Sequence, residues 1–160
     1  MVEAALEINH WCAGAVMYQG TDMRTGSALE IYRSGVGRCG EEAVFVVNVM
    51  RSAGIPARPV YVPRWSHCDD NHAWVEVWCD GDWHYLGACE PEAVLDKGWF
   101  TNAASRAMMI GSRWYDRAMP DEKVIGKDGM NRIINLLGKY AKTRWITITV
   151  EDLDGTPADG

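Results

Sequence analysis

Apolar residues recur along the first part of the chain with a period close to that of a helix. Ala4, Ala5, Ile8, Trp11, Cys12, Ala15 and Val16 fall on one face, which predicts a helix over residues 2–18 ending near Gly20. A polar, glycine-punctuated connector runs from Thr21 to Gly37, with one short helical turn expected at Ala28 to Tyr32. Beyond it, Ala43, Val44, Phe45, Val46, Val47, Val49 and Met50 are apolar almost all round. The helix carrying them opens at Gly37-Arg38-Cys39-Gly40-Glu41-Glu42 and is stopped by Gly54-Ile55-Pro56, so it must be buried on most sides.

From Ala57 the pattern becomes that of strands. Ala57 to Pro63 is β-branched and aromatic, whereas Trp65 to Asn71 is polar enough for a surface loop. His72 to Cys79 and Asp82 to Leu86 flank Asp80-Gly81, a pair suited to a type I′ turn, which predicts a hairpin. In that register Cys79 faces Asp82, Trp78 faces Trp83, Glu76 faces Tyr85, Trp74 faces Gly87 and His72 faces Cys89. Opposed residues share a face, so His72, Trp74, Glu76 and Trp78 lie on one side and Ala73, Val75 and Val77 on the other. After Lys97 a helical or mixed stretch passes through Ala103, Ala104, Ala107 and Met108. Strands are then expected at Arg132 to Leu136 and at Trp145 to Val150, where Ile146, Ile148 and Val150 alternate with Thr147 and Thr149.

Composition narrows the classes of function. With 160 residues and 48% hydrophobic content, the chain can bury one substantial core and is expected to form one main α+β domain. A formal net charge of -6 without a lysine or arginine cluster argues against a nucleic-acid partner. No run of ~18 apolar residues predicts a membrane span, and no basic start followed by an apolar stretch predicts a signal peptide. The helical pattern begins at once and the other end stops within Gly155 to Gly160, which suggests a piece of a longer protein. Five cysteines, Cys12, Cys39, Cys68, Cys79 and Cys89, form no Cys-x-x-Cys pair, so neither a disulfide framework nor a zinc ribbon is indicated. His67, Cys68 and His72 are close together but lack a second ligand pair, so no metal and no cofactor is expected.

Cys39 sits at the first turn of the buried helix, where unpaired backbone N–H groups and the helix dipole favour a thiolate. Gly37 and Gly40 would let a substrate backbone approach its sulfur. His72, at the open end of the hairpin, is the candidate base. By itself each residue has an ordinary structural explanation, a buried cysteine or a polar strand end; together they are a nucleophile and base.

The order of helix-start cysteine, strand, His72-Ala73-Trp74-Val75-Glu76-Val77, turn, tryptophan and Cys89-Glu90-Pro91 resembles the transglutaminase-like superfamily. Gly37 to Glu41 and Ala53-Gly54-Ile55-Pro56-Ala57-Arg58 carry the same resemblance, which extends over roughly residues 2–95; Ala88-Cys89-Glu90 also resembles the peptide N-glycanase branch. The resemblance implies a papain-like core with catalytic Cys39 and His72. The family's third residue, an aspartate that orients the histidine, falls on Gly87. Glu76 lies four strand residues from His72, about 13 Å at ~3.3 Å per residue, and cannot substitute. Glu90 is expected to curl back and do so, with Asp69, Asp70 or a backbone carbonyl as the alternatives. A low-pKa Cys39 thiol is expected as well.

Gln19 is a possible second oxyanion donor beside the Cys39 N–H. Trp65 and Trp74 are candidate substrate-binding residues with Gly37 and Gly40, though packing explains the tryptophans equally well. These features imply acyl transfer on amide bonds through a thioester, hydrolytic as in a peptidase, deamidase or glycanase, with a protein, peptide or glycopeptide substrate. Transglutaminase crosslinking of glutamine to an amine is one alternative, and a catalytically silent peptide- or glycan-binding module is another. The expected division is a transglutaminase-like domain over 1–144 and, over 145–160, the start of a truncated immunoglobulin-like or carboxypeptidase-regulatory-like β-module. Such modules, with further β-domains, favour an extracellular or cell-envelope location.

Overall fold

The computed structural model describes residues 1–20, 24–115, 123–144, 146–153 and 155–156. Helix α1 (Val2–Ala15) buries Ala5, Asn9 and Cys12. It stops earlier than its apolar period suggests, because Val16 turns extended and Met17–Tyr18 (β1) pairs in parallel with Val36–Gly37 (β2). Trp11, expected to face the core, is 52% exposed and stacks beside Tyr32 and Phe45. Helix α2 (Ala28–Ser34) is longer than the one turn expected. Ser27 and Glu30 close a capping box at its start, and Gly35 ends it in the left-handed region at φ 68. Helix α3 (Cys39–Ser52) buries Ala43, Phe45, Val46, Val47 and Met50, as its all-apolar character requires, together with Glu41 and Glu42.

The sheet is formed by β3 (Ala57–Val62), β4 (His72–Cys79), β5 (Asp82–Leu86), β6 (Gly111–Tyr115), β7 (Val124–Asp128) and β8 (Asn131–Asn135). Two short helices, α4 (Thr101–Ala104) and α5 (Leu137–Tyr140), complete the elements. Strand order is β5-β4-β3-β6-β8-β7, all neighbours antiparallel. The hairpin has the expected register at Glu76↔Tyr85, Trp78↔Trp83 and Cys79↔Asp82. Past Leu86 the chain leaves the ladder, so the expected pairs Trp74–Gly87 and His72–Cys89 do not form; Gly87 bridges to Glu90 instead. The strand expected at 145–150 is also not formed. Trp145 lies outside the described residues, and Ile146 and Ile148 are 82% and 80% exposed, with no strand assigned at 146–150. Residues 154 and 157–160 of the expected β-module lie outside the described residues too.

Alternation along the strands sends side chains into two cores. Val75 and Val77 meet Ala43, Val46, Val47 and Met50 beneath the helices, whereas Val60, Val62 and Trp74 meet Trp65, Phe100, Ile110 and Ile134 on the opposite face. This second core encloses an ion pair, Arg58 Nε to Glu76 Oε2 at 2.7 Å, with both side chains within 2% of full burial. The other Glu76 oxygen accepts from the Tyr140 hydroxyl at 2.7 Å, which accepts from Trp74 Nε1 at 2.9 Å. Satisfaction of this kind is what lets ionised groups persist in a core. Between β3 and β6 the register holds one pair, Tyr61↔Gly111. Pro59 has no N–H to extend it, and Ser112 Oγ donates to the Pro59 carbonyl at 2.6 Å instead.

Candidate active site

Cys39 is the first residue of α3, entered from an extended Arg38 at φ -81 and ψ 169. Its half-buried thiol lies against the backbone N–H groups of Ala73 and Gly40. These donors and the Arg38 charge favour the thiolate, but burial outweighs them and pushes the thiol above its ordinary value. The low-pKa thiol expected from the helix start is therefore not found in the resting site: desolvation opposes the dipole and wins.

His72 opens β4 and lines, with Cys39, Arg38, Gly40, Ala73 and Arg113, one cleft of about 330 Å³. Its ring packs on Trp99 at 4.6 Å and on Phe100 at 5.1 Å between centroids, and it is 6% exposed. Burial pushes its pKa down to about 4, slightly opposed by the charge of Asp70. The imidazole is thus neutral near pH 7 and able to take a proton. No hydrogen bond joins it to the Cys39 thiol among the described residues.

Behind His72 stands Glu90. The turn that presents it reverses within three residues, with Cys89 in the left-handed region at φ 56 and the Glu90 N–H donating to the Gly87 carbonyl at 3.2 Å. Buried Asn9 of α1 clamps this turn: its Nδ2 donates to the Gly87 carbonyl at 2.9 Å and its Oδ1 accepts from the Cys89 N–H at 3.1 Å. The absence of a side chain at 87 is what admits the carboxylate. A Cβ built on Gly87 would collide with Glu90 Oε2 and lie 2.8 Å from Glu90 Cβ. Glu90 Oε2 is 3.9 Å from His72 Nε2, and neither of these buried atoms has a hydrogen-bond partner among the described residues. The sequence-based expectation is a carboxylate oxygen within about 3.2 Å of a ring nitrogen or one water away, and the direct contact is longer than the first of these. Burial keeps the His72 ring neutral, so no full positive charge draws the carboxyl in; burial also raises the Glu90 carboxyl, opposed by the Trp99 indole N–H donating to Oε1 at 2.9 Å.

The remaining sequence candidates are placed differently. Glu76, ruled out by distance, is engaged with Arg58. Trp74 is fully buried and Trp65 is 4% exposed; the two stack at 6.5 Å and back His72 from the core instead of walling a cleft. Gly37 is packed against α3, where a Cβ would come 3.1 Å from Glu41 Cβ, and the space beside Gly40 is filled by Arg38 Nη1, 2.8 Å from a Cβ there. Both glycines make room for protein groups. Exposed Gln19 donates its backbone N–H to Gly37, two residues before Cys39, but does not line the Cys39 cleft. His67 and Cys68 are exposed, and the described residues contain no group of three metal-ligating side chains. Asn9 and Trp99, which hold Glu90 from two sides, are residues the sequence reading missed. Neither lies in a motif, and both act through contacts distant in the chain or across an irregular loop.

Among solved structures, the chain is similar to a proposed cysteine protease from Cytophaga hutchinsonii, with 20% identity over 82% of this chain and 51% of that one and a TM-score of 0.47. It is also similar to LapG of Legionella pneumophila, with 17% identity over 59% of this chain and 58% of that one and a TM-score of 0.49. The matched part is thus between half and three fifths of each of those chains. No curated protein matches. The family model described as "Transglutaminase-like superfamily" matches residues 1–88, a span that holds α1 to β5 with Cys39, His72 and Gly87. The chain belongs to the transglutaminase-like superfamily.

Proposed function

We propose that this domain is a cysteine-dependent amide hydrolase of the superfamily, with Cys39 as nucleophile, His72 as base and Glu90 as the group that orients and charges against His72. The observation that carries this reading is the position of the Glu90 carboxylate, 3.9 Å behind the histidine that shares a cleft with Cys39, in the space a glycine at 87 leaves open.

In the resting site the thiol and the imidazole are both neutral, so attack on a substrate carbonyl is coupled to movement of the thiol proton to His72. The imidazolium formed then faces the Glu90 carboxylate through Nε2, and their attraction strengthens as charge develops, which is where it accelerates the reaction. The Cys39 backbone N–H at the start of α3 is positioned to donate to the oxyanion. Collapse of the tetrahedral intermediate passes the proton from His72 to the leaving amine and leaves a thioester on Cys39. Water attacks the thioester with His72 again as base, releasing acid and thiol; an amine acceptor in place of water gives transamidation.

Mapping of thiol modification by mass spectrometry tests this reading. Iodoacetamide at pH 7 should alkylate Cys39 in a reaction that depends on His72, so His72→Ala should slow modification of Cys39 and leave that of exposed Cys68 unchanged. A Cys39 rate that His72→Ala leaves unchanged would reject the pairing of Cys39 as nucleophile with His72 as base.

A further inference from the structure

The Cys39 cleft does not end at the catalytic residues. Arg113, on β6, lines it and also lines a larger cleft of about 510 Å³ that continues along α3. One wall of the continuous groove is a single stripe of α3, with Gly40 at the catalytic end and then Val44, Val47 and Arg51 at helical spacing. Its floor is the face of β3 that presents Pro59 and Tyr61, beside the gap where β6 departs after the Tyr61↔Gly111 pair. From Cys39 to Arg51 the groove is about 18 Å long at ~1.5 Å per helical residue, enough for about five residues of extended peptide.

The groove is basic although the chain as a whole is acidic. The chain has 22 acidic against 16 basic residues, yet the described lining of both clefts contains Arg38, Arg51 and Arg113 and no acidic residue. Arg38 is steadied by a hydrogen bond from Nη2 to Thr25 Oγ1 at 2.9 Å, and Arg51 by one from Nε to the Ala57 carbonyl at 2.9 Å. Arg113 is exposed and lies 6.0 Å over the Tyr61 ring, at the junction of the two clefts. A planar guanidinium on an aromatic face keeps its donors directed outward, where a carboxylate takes them in pairs.

We infer that the groove is a substrate subsite for polypeptide segments carrying acidic side chains. Arg113 receives a carboxylate next to the reacting amide, and Arg51 receives one at the far end. This assignment rests on the reading of Cys39 as nucleophile, and its test is one of binding. Cys39→Ala protein is titrated into three fluorescein-labelled pools of random octapeptides of glycine, alanine, serine and glutamine, which differ only in containing additional glutamate, glutamine or lysine. Anisotropy should show the glutamate pool binding about tenfold more tightly than the glutamine pool, the difference expected for one charge-assisted contact. The gap should shrink at high salt. Arg113→Glu, with an unchanged circular dichroism spectrum, should reverse the order in favour of lysine. Equal binding of the three pools, no binding of any, or a glutamate preference that Arg113→Glu leaves intact overturns the assignment. The iodoacetamide experiment is separate: failure there removes the chemistry without altering the order of peptide affinities.

Discussion

Moving the carboxylate back to the position where the family carries it is the sharpest perturbation of the proposed triad. An imidazolium and a carboxylate 3.9 Å apart attract by about 4 kcal/mol at an effective dielectric constant near ~20. The Glu90 side chain is 37% exposed, and solvent screening reduces this to about 3 kcal/mol. Glu90→Ala should therefore slow the His72-dependent alkylation of Cys39 by a factor of about 10² to 10³, below the ~10⁴ seen when a triad carboxylate is neutralised in a well-studied hydrolase. Gly87→Asp alone should also be slow, because its Cβ enters the volume of Glu90. With Glu90→Ala present that volume is free, and position 87 is outside the left-handed region, so an aspartate fits its backbone. The double variant should recover at least tenfold over Glu90→Ala. The assay is iodoacetamide modification of Cys39 followed by intact mass at pH 7, with circular dichroism to confirm folding. A folded double variant no faster than Glu90→Ala, or a Glu90→Ala protein as fast as the unaltered one, would refute the relocated carboxylate.

Three further outcomes follow from the same geometry. Trp99→Phe keeps a ring on His72 but removes the indole donor to Glu90 Oε1, and should lower the alkylation rate severalfold, about the value of one hydrogen bond, with little change in thermal midpoint. Glu42 is pushed up to about 7, first by burial and then by the charge of Glu90, so the fold binds a proton there that the unfolded chain releases between its ordinary 4.5 and 7. Stability from this group is therefore lost as pH rises through that window, by roughly 3 kcal/mol, and urea unfolding should show Glu42→Gln more stable than the unaltered protein at pH 8 and not at pH 4.5; an advantage confined to acid would contradict the assignment. Glu76→Leu leaves Arg58 buried without its carboxylate and should destabilise by about 3 to 5 kcal/mol, whereas Arg58→Met with Glu76→Leu should recover much of that in the same unfolding assay.

The parts legible in the sequence were those governed by local chemistry. Asp80-Gly81 fixed the turn, and the turn fixed the register of Glu76 against Tyr85; the apolar run from Ala43 to Met50 demanded a buried helix with Cys39 at its start. Gly87 could be read as a lost aspartate through the resemblance to the superfamily, and Glu90 was within reach of the same turn. What was missed depends on partners distant in the chain. Strand β6 alternates only weakly and β7 is mostly exposed, so their ladders are set by pairing with β8 and β3 and not by a period of their own. Ile146, Ile148 and Val150 are the converse, an alternating segment that stays exposed and is not assigned as a strand. The thiol of Cys39 shows the same limit: its helix-start position was visible, but the burial that outweighs the dipole was not.

The single pair joining β3 to β6 divides the sheet along a seam. On one side, β5, β4 and β3 carry His72, support the turn of Glu90 and pack beneath the helix of Cys39, almost all within the span the superfamily model matches. On the other, β6, β8 and β7 supply Arg113 and lie wholly outside that span. Along the backbone the seam is held by one bridge and the Ser112 hydroxyl, while Val60 and Val62 meet Ile110 and Ile134 across it in the second core. Substitutions on the outward face of β6, such as at Arg113, can therefore alter the cleft beside Cys39 and His72 without entering that shared core.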